Sequence, residues 1–140
     1  MRDNKWLAEQ LDHIHSTYFA DVPIENTILV RFGRESRTRF GSIIAKPTAG
    51  YRLPVTYITI NSLFKDETVP EYVIQGTLLH EFAHYAHGFH SPLKQKYRYP
   101  HKGGIVNREI RTRGAGDILK LQTRWIKDVY RDFLKSKDLL

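Results

Sequence analysis

Apolar residues recur at helical spacing from the start of the chain. Leu7, Leu11, Ile14 and Tyr18 share one face of a segment running from Asp3 to Phe19, with Trp6 and Phe19 beside them. Pro23 closes the segment, so the pattern predicts one amphipathic helix. The period then changes. Ile28, Val30 and Phe32 alternate with other residues over 27–32, Phe40, Ile43 and Ile44 mark a second run over 37–46, and a third spans 55–60. Turn signals at Gly33-Arg34-Glu35-Ser36 and from Pro47 to Pro54 separate these runs, and the simplest expectation is a small, mostly antiparallel, three-stranded sheet.

Thr68 followed three residues later by Glu71 reads as a capping box, with Pro70 tolerated in a first turn. A helix is expected from there to Gly88. Its apolar residues, Val73, Ile74, Leu78, Leu79, Phe82, Ala83 and Ala86, fall all round the axis, which marks a buried central helix rather than a surface one. Residues 89–104 lack periodicity and are rich in Pro, Gly, Lys and Tyr, the signature of a long loop. Helical character returns near Ile105, and Ile118, Leu121, Trp125, Val129 and Phe133 form a stripe to the C-terminus.

Length and composition narrow the class. The 140 residues suit a single domain over 1–140, and 41% hydrophobic with 26% charged residues describe a globular chain. No apolar run approaches the roughly 20 residues that cross a bilayer, so no membrane partner is expected. Asp3, Glu9 and Asp12 interrupt the first twenty residues, which argues against a secretory signal and for an intracellular setting. With no cysteine, a disulfide framework, a zinc ribbon and a thiol nucleophile are all excluded, and any metal must sit on His and carboxylate. Charge is uneven: residues 1–88 hold 9 Lys and Arg against 10 acids, residues 89–140 hold 13 against 5. Such asymmetry suits a polyanionic partner, nucleic acid above all, although charged residues also solvate the outer faces of helices.

The buried helix carries His80-Glu81-Phe82-Ala83-His84, the pattern H-E-x-x-H. Two imidazoles four residues apart on a helix project from one face on successive turns and can hold one Zn²⁺. Glu81 is offset by roughly 100° round the axis, too far for an ideal ligand but placed to take a proton from an attacking water as general base. Composition alone predicts on the order of 0.01 such matches in a chain of this length. Burying two His and a Glu in an apolar helix is costly without partners, which favours a metal over a pair of core histidines.

The run Ile58-Thr59-Ile60-Asn61, followed by a helix ending Thr77-Leu78-Leu79-His80-Glu81-Phe82-Ala83-His84, resembles the strand and active-site helix of SprT-like zinc metallopeptidases and, secondly, of ImmA/IrrE-type peptidases. The resemblance covers roughly residues 55–114. It implies an α+β, zincin-like single domain with an N-terminal helix, a three-stranded sheet, a central H-E-x-x-H helix and C-terminal helices. It also implies zinc-dependent hydrolysis of peptide bonds in a protein or peptide substrate, directed in several SprT-like members at DNA-bound proteins. Those members often carry a Cys-rich zinc module, which this chain lacks.

The third zinc ligand separates the two resemblances. SprT-like chains supply a His from an H-G type segment, matched here by His101-Lys102-Gly103-Gly104; ImmA/IrrE-type chains use a Glu on the second helix with small residues at +3 and +7, matched by Glu109, Thr112 and Gly116. Should His101 ligate, Glu109 is expected to pair with Arg113 at i+4 or to orient a ligand His. Tyr97 and Tyr99, beside His101, are candidates for stabilising an oxyanion. His87, at i+7 from His80, is a candidate fourth ligand if zinc were structural in a nucleic-acid-binding module. A regulatory, ImmA/IrrE-like protease is the other alternative to a general endopeptidase.

Overall fold

The structure, a computed structural model, describes residues 1–140. Asn4–Tyr18 form helix α1, and its Leu7, Leu11 and Ile14 are buried as the spacing predicts. Asp3 caps it by accepting the Trp6 N–H at 2.8 Å. Strands β1 (Ile28–Phe32), β2 (Gly41–Lys46) and β3 (Val55–Ile60) follow, then a single 3₁₀ turn at Ser62–Lys65, α2 (Glu71–Ala86), α3 (Ile105–Thr112), α4 (Gly116–Asp128) and α5 (Tyr130–Ser136). The architecture is α+β, as expected.

The sheet is mixed rather than mostly antiparallel. Its order is β1-β3-β2, with β3 parallel to β1 and antiparallel to β2. Burial explains the order: five of the six β3 residues, all but Thr59, are buried, so this strand takes the centre and leaves the more exposed β1 and β2 as edges. Residues 33–40 must therefore pass across the end of β3, where Gly33 N–H still donates to Ile60 O and Asn61 N–H to Phe40 O.

Two further expectations are corrected. Thr68 does not cap α2, because its N–H and hydroxyl both donate to the Asp66 carboxylate; Pro70 stands at the N-cap with no side-chain bond. The C-terminal stripe is broken into α4 and α5 at Val129, which leaves helical geometry and is 43% exposed, as Leu121 is at 40%. The break turns Tyr130 edge-on to Phe40 and brings it against Trp125, while its hydroxyl donates to Arg37 O.

Helix α2 is the element the others surround: it touches α1, α3, α4, β2 and β3. It ends where Gly88 takes φ +77°. A Cβ there would also lie 2.5 Å from the Lys94 backbone, so only glycine lets the following loop fold back against the helix end. No helix is long and apolar enough to cross a membrane.

Phe64 is fully buried and packs edge-on against Phe40 and Trp125, tying β2, the 3₁₀ turn and α4 together. Phe64→Ala is expected to cost about 3–5 kcal/mol in urea unfolding. Leu121→Ala, from the half of the stripe that faces solvent, should cost under about 1 kcal/mol.

Candidate metal centre

Burial of α2 on every side carries its functional groups inward. His84 is 1% and Glu81 5% exposed, while His80 is half-buried. Ligand-capable atoms of His80, Glu81 and His84 lie within 4.8 Å of one another: the two histidines converge as the four-residue spacing predicts, and the Glu81 carboxylate, expected to be offset from them, joins the group. Both ring nitrogens of His84 are buried without a hydrogen-bond partner. A neutral imidazole left so costs desolvation with no return, and a cation on one nitrogen would relieve it.

The electrostatics match. Burial, reinforced by the neighbouring histidines, drives His84 down to about 3, and burial followed by His101 lowers His80. Both rings therefore stay neutral at physiological pH, the state that ligates a metal. Glu81 moves the opposite way: burial pushes its carboxyl up to about 7, opposed only by the charge of Arg39.

His101, on the exposed loop, folds back over the site. Its ring centroid lies 4.6 Å from that of His84 and 5.3 Å from that of Phe89. Glu109 lies on α3 and spends both carboxylate oxygens elsewhere: Oε1 accepts from His87 Nε2 at 2.7 Å, and Oε2 from Arg113 Nε at 2.9 Å. The i+4 pair with Arg113 is thus formed, and Arg113 extends it to Asp21 and to Tyr18 O while stacking over Phe19. His87, 1% exposed, turns toward Glu109 instead of joining the histidine cluster. Tyr97 packs its ring on His87, and Tyr99, 57% exposed, lies between Arg98 and Lys102.

His90 follows the helix end on the returning loop. It adopts φ 52°, and its Nδ1 accepts the Ala45 N–H while its carbonyl accepts from Thr56 Oγ1, so it covers one end of the free edge of β2. His15 donates locally, through Nε2–H to Val22 O, and serves the end of α1. A cleft of about 480 Å³ opens beside the cluster, walled by residues 38–41, by Gly76, Thr77, His80 and Glu81 of α2, and by Gln122 and Ile126 of α4. The loop wall of this cleft, Arg39 included, carries no motif that a reading of the sequence would single out.

Comparison of the chain with protein-family models, curated proteins and solved structures finds no match. The site is defined by its own geometry.

The raised Glu81 carboxyl has a measurable consequence in metal-free protein. A carboxyl whose value rises from 4.5 to about 7 on folding keeps its proton in the folded chain after the unfolded chain has lost it. Its contribution to stability is complete below about 4.5 and is lost as pH rises through about 7. Chelator-treated wild type should therefore weaken relative to Glu81→Gln across that window, by on the order of 3 kcal/mol in urea unfolding. A difference that stays flat with pH would place the carboxyl at its ordinary value.

Proposed function

We propose that this protein is a zinc-dependent endopeptidase, held together at its site by His80, His84 and His101 as ligands with Glu81 as general base. The observation that carries the reading is the fully buried His84 ring with two unpartnered nitrogens, one turn from His80 and beside His101. A donor set of three imidazoles suits Zn²⁺ and would leave a fourth position open. Bound zinc would supply Lewis-acid chemistry, polarising the scissile carbonyl and easing deprotonation of a water.

The chain's own residues supply the rest. Glu81, on the same turn as His80 and with its carboxylate among the histidine nitrogens, accepts the proton of the attacking water and passes it to the departing amine. Glu109 keeps α3 and the loop in place through His87 and Arg113, which favours His101 over Glu109 as the third ligand. The substrate lies extended along β2. Residues 41, 43 and 45 direct their backbone groups away from β3, and since His90 occupies Ala45, Gly41 and Ile43 remain to pair with a peptide backbone. Tyr97 and Tyr99 serve the loop around His101 rather than the oxyanion, given their packing on His87, Arg98 and Lys102.

Protein purified without an affinity tag should carry about one zinc per chain, and His80→Ala or His84→Ala should lose most of it. His101→Ala should weaken zinc more than Glu109→Ala. Glu81→Gln should retain zinc yet cleave an unfolded protein at least ~100-fold more slowly. Undiminished cleavage in that variant would remove Glu81 from the chemistry.

Nucleic acid is a second partner favoured by a specific feature. Arg111 on α3 and Lys120, Arg124 and Lys127 on α4 line one groove of about 640 Å³ whose only acid is Asp128, and none of the four enters an ion pair. Arg113 is excluded from this surface by its pairing with Glu109 and Asp21. Duplex DNA should bind with log K falling linearly in log salt, and Arg124→Ala/Lys127→Ala should reduce that slope by about two. Absence of binding at low salt would leave the groove as solvated charge.

A further inference from the structure

Asn61 and the loop before β2 are unexplained by the chemistry so far. Asn61 is 3% exposed, and most of its side-chain bonds go to one segment: Nδ2 donates to Arg39 O at 2.9 Å and to Ser36 O, and Oδ1 accepts from Ser36 N as well as from Leu63 N of the 3₁₀ turn that Asn61 caps. Ser36 Oγ accepts the backbone N–H of both Thr38 and Arg39. The Arg39 backbone is thus bonded through its N–H and through its carbonyl, an unusual degree of restraint for a residue on an irregular loop. Phe40 adds another tie, since its carbonyl accepts the Asn61 N–H.

This restraint sets the backbone position from which the exposed Arg39 side chain lines the cleft beside His80 and Glu81. The approach is close. At Gly41, two residues on, a Cβ would lie 2.6 Å from Thr77 Cγ2 and 3.2 Å from Glu81 Oε2, so the loop runs directly over the Glu81 carboxyl and tolerates no side chain there. Arg39 enters no ion pair, and it is the only Lys or Arg among the cleft residues. The one carboxylate in the cleft, Glu81, is assigned to the chemistry. The Arg39 guanidinium is exposed and unpaired at this point, and a bound substrate can bring the acidic partner it lacks.

We infer that Arg39 is the specificity-determining residue of this cleft and that it selects a substrate carboxylate next to the scissile bond. The inference rests on the proteolytic reading for the bond that is cut, but the recognition itself does not require turnover. The carboxylate has two sources, an internal Asp or Glu side chain or the free C-terminus of a short peptide, and each offers the two oxygens that a guanidinium engages side by side.

Three peptides identical except for Glu, Gln or Lys at the position entering the cleft separate the possibilities. With zinc-loaded wild type, kcat/KM should favour Glu over Gln by about tenfold, the scale of one charge-assisted hydrogen bond near solvent. Arg39→Ala should erase that ratio and Arg39→Glu should invert it toward Lys, which loss of loop structure alone would not do. Arg34→Ala, a neighbouring cation outside the cleft, should leave the ratio intact. Zinc content and the unfolding midpoint of each variant report whether site and fold survive.

The same peptides, fluorescently labelled, are titrated into zinc-loaded Glu81→Gln protein by anisotropy. Arg39-dependent preference for Glu without any turnover by wild type would uphold the recognition and overturn the proteolytic reading. Equal binding of all three peptides, or no inversion by Arg39→Glu, would overturn the recognition whatever the turnover. A fourth peptide ending at the cleft position, free or amidated, assigns the carboxylate to the chain terminus if only the free form binds tightly and to the side chain if both forms of the Glu peptide do.

Discussion

A helix buried on every side is the constraint on which the rest of the molecule depends. Because α2 has no solvent face along most of its length, any polar group it carries must find a partner inside the protein or remain unsatisfied. Thr77 bonds back to Val73 O and Tyr85 reaches Asn26, so the helix solves this problem locally wherever it can. His84 is the exception, and Glu81 avoids the penalty by keeping its proton to higher pH. The surrounding elements are arranged about this stretch: α4 and residues 38–41 wall a cleft beside it, and the loop from Gly88 doubles back to lay His101 against His84.

The loop is itself held by a chain of hydrogen bonds. His87, Glu109, Arg113 and Asp21 run in sequence from the buried end of α2 through α3 to the turn after α1, and Lys96 N–H donates to His87 O. This chain joins three parts of the sequence separated by nearly a hundred residues. Both Glu109 carboxylate oxygens are engaged in this chain, one by His87 and one by Arg113.

Much of this was legible from residue order because it rests on local periodicity. Leu7, Leu11 and Ile14 announced α1, the all-round apolar run announced a central α2, and the i, i+4 histidines announced their own convergence. What escaped reading depends on contacts between distant segments. Thr68 looks like a cap until Asp66 claims its donors; Val129 continues a helical stripe until Tyr130 is drawn to Phe40 and Arg37. The parallel pairing of β1 with β3 is likewise a matter of which strand is most buried, a property that alternation patterns along single strands do not encode. His101 and Glu109 each match a different family's third-ligand pattern in the sequence, and the structure adds that Glu109 is bonded to His87 and Arg113 while the His101 ring lies beside His84.

The hydrogen bond from Ala45 to His90 also bears on solubility. A free β edge is a template on which other chains polymerise, and β2 presents one. By occupying Ala45 with a side chain held in a left-handed backbone conformation, His90 shortens the open register to the few residues beside the cleft, too short to nucleate a stable intermolecular sheet. Lys46 at the same end places a charge where a second chain would have to enter. With Ala45 taken, Gly41 and Ile43 are all that this edge offers to a second copy of the chain.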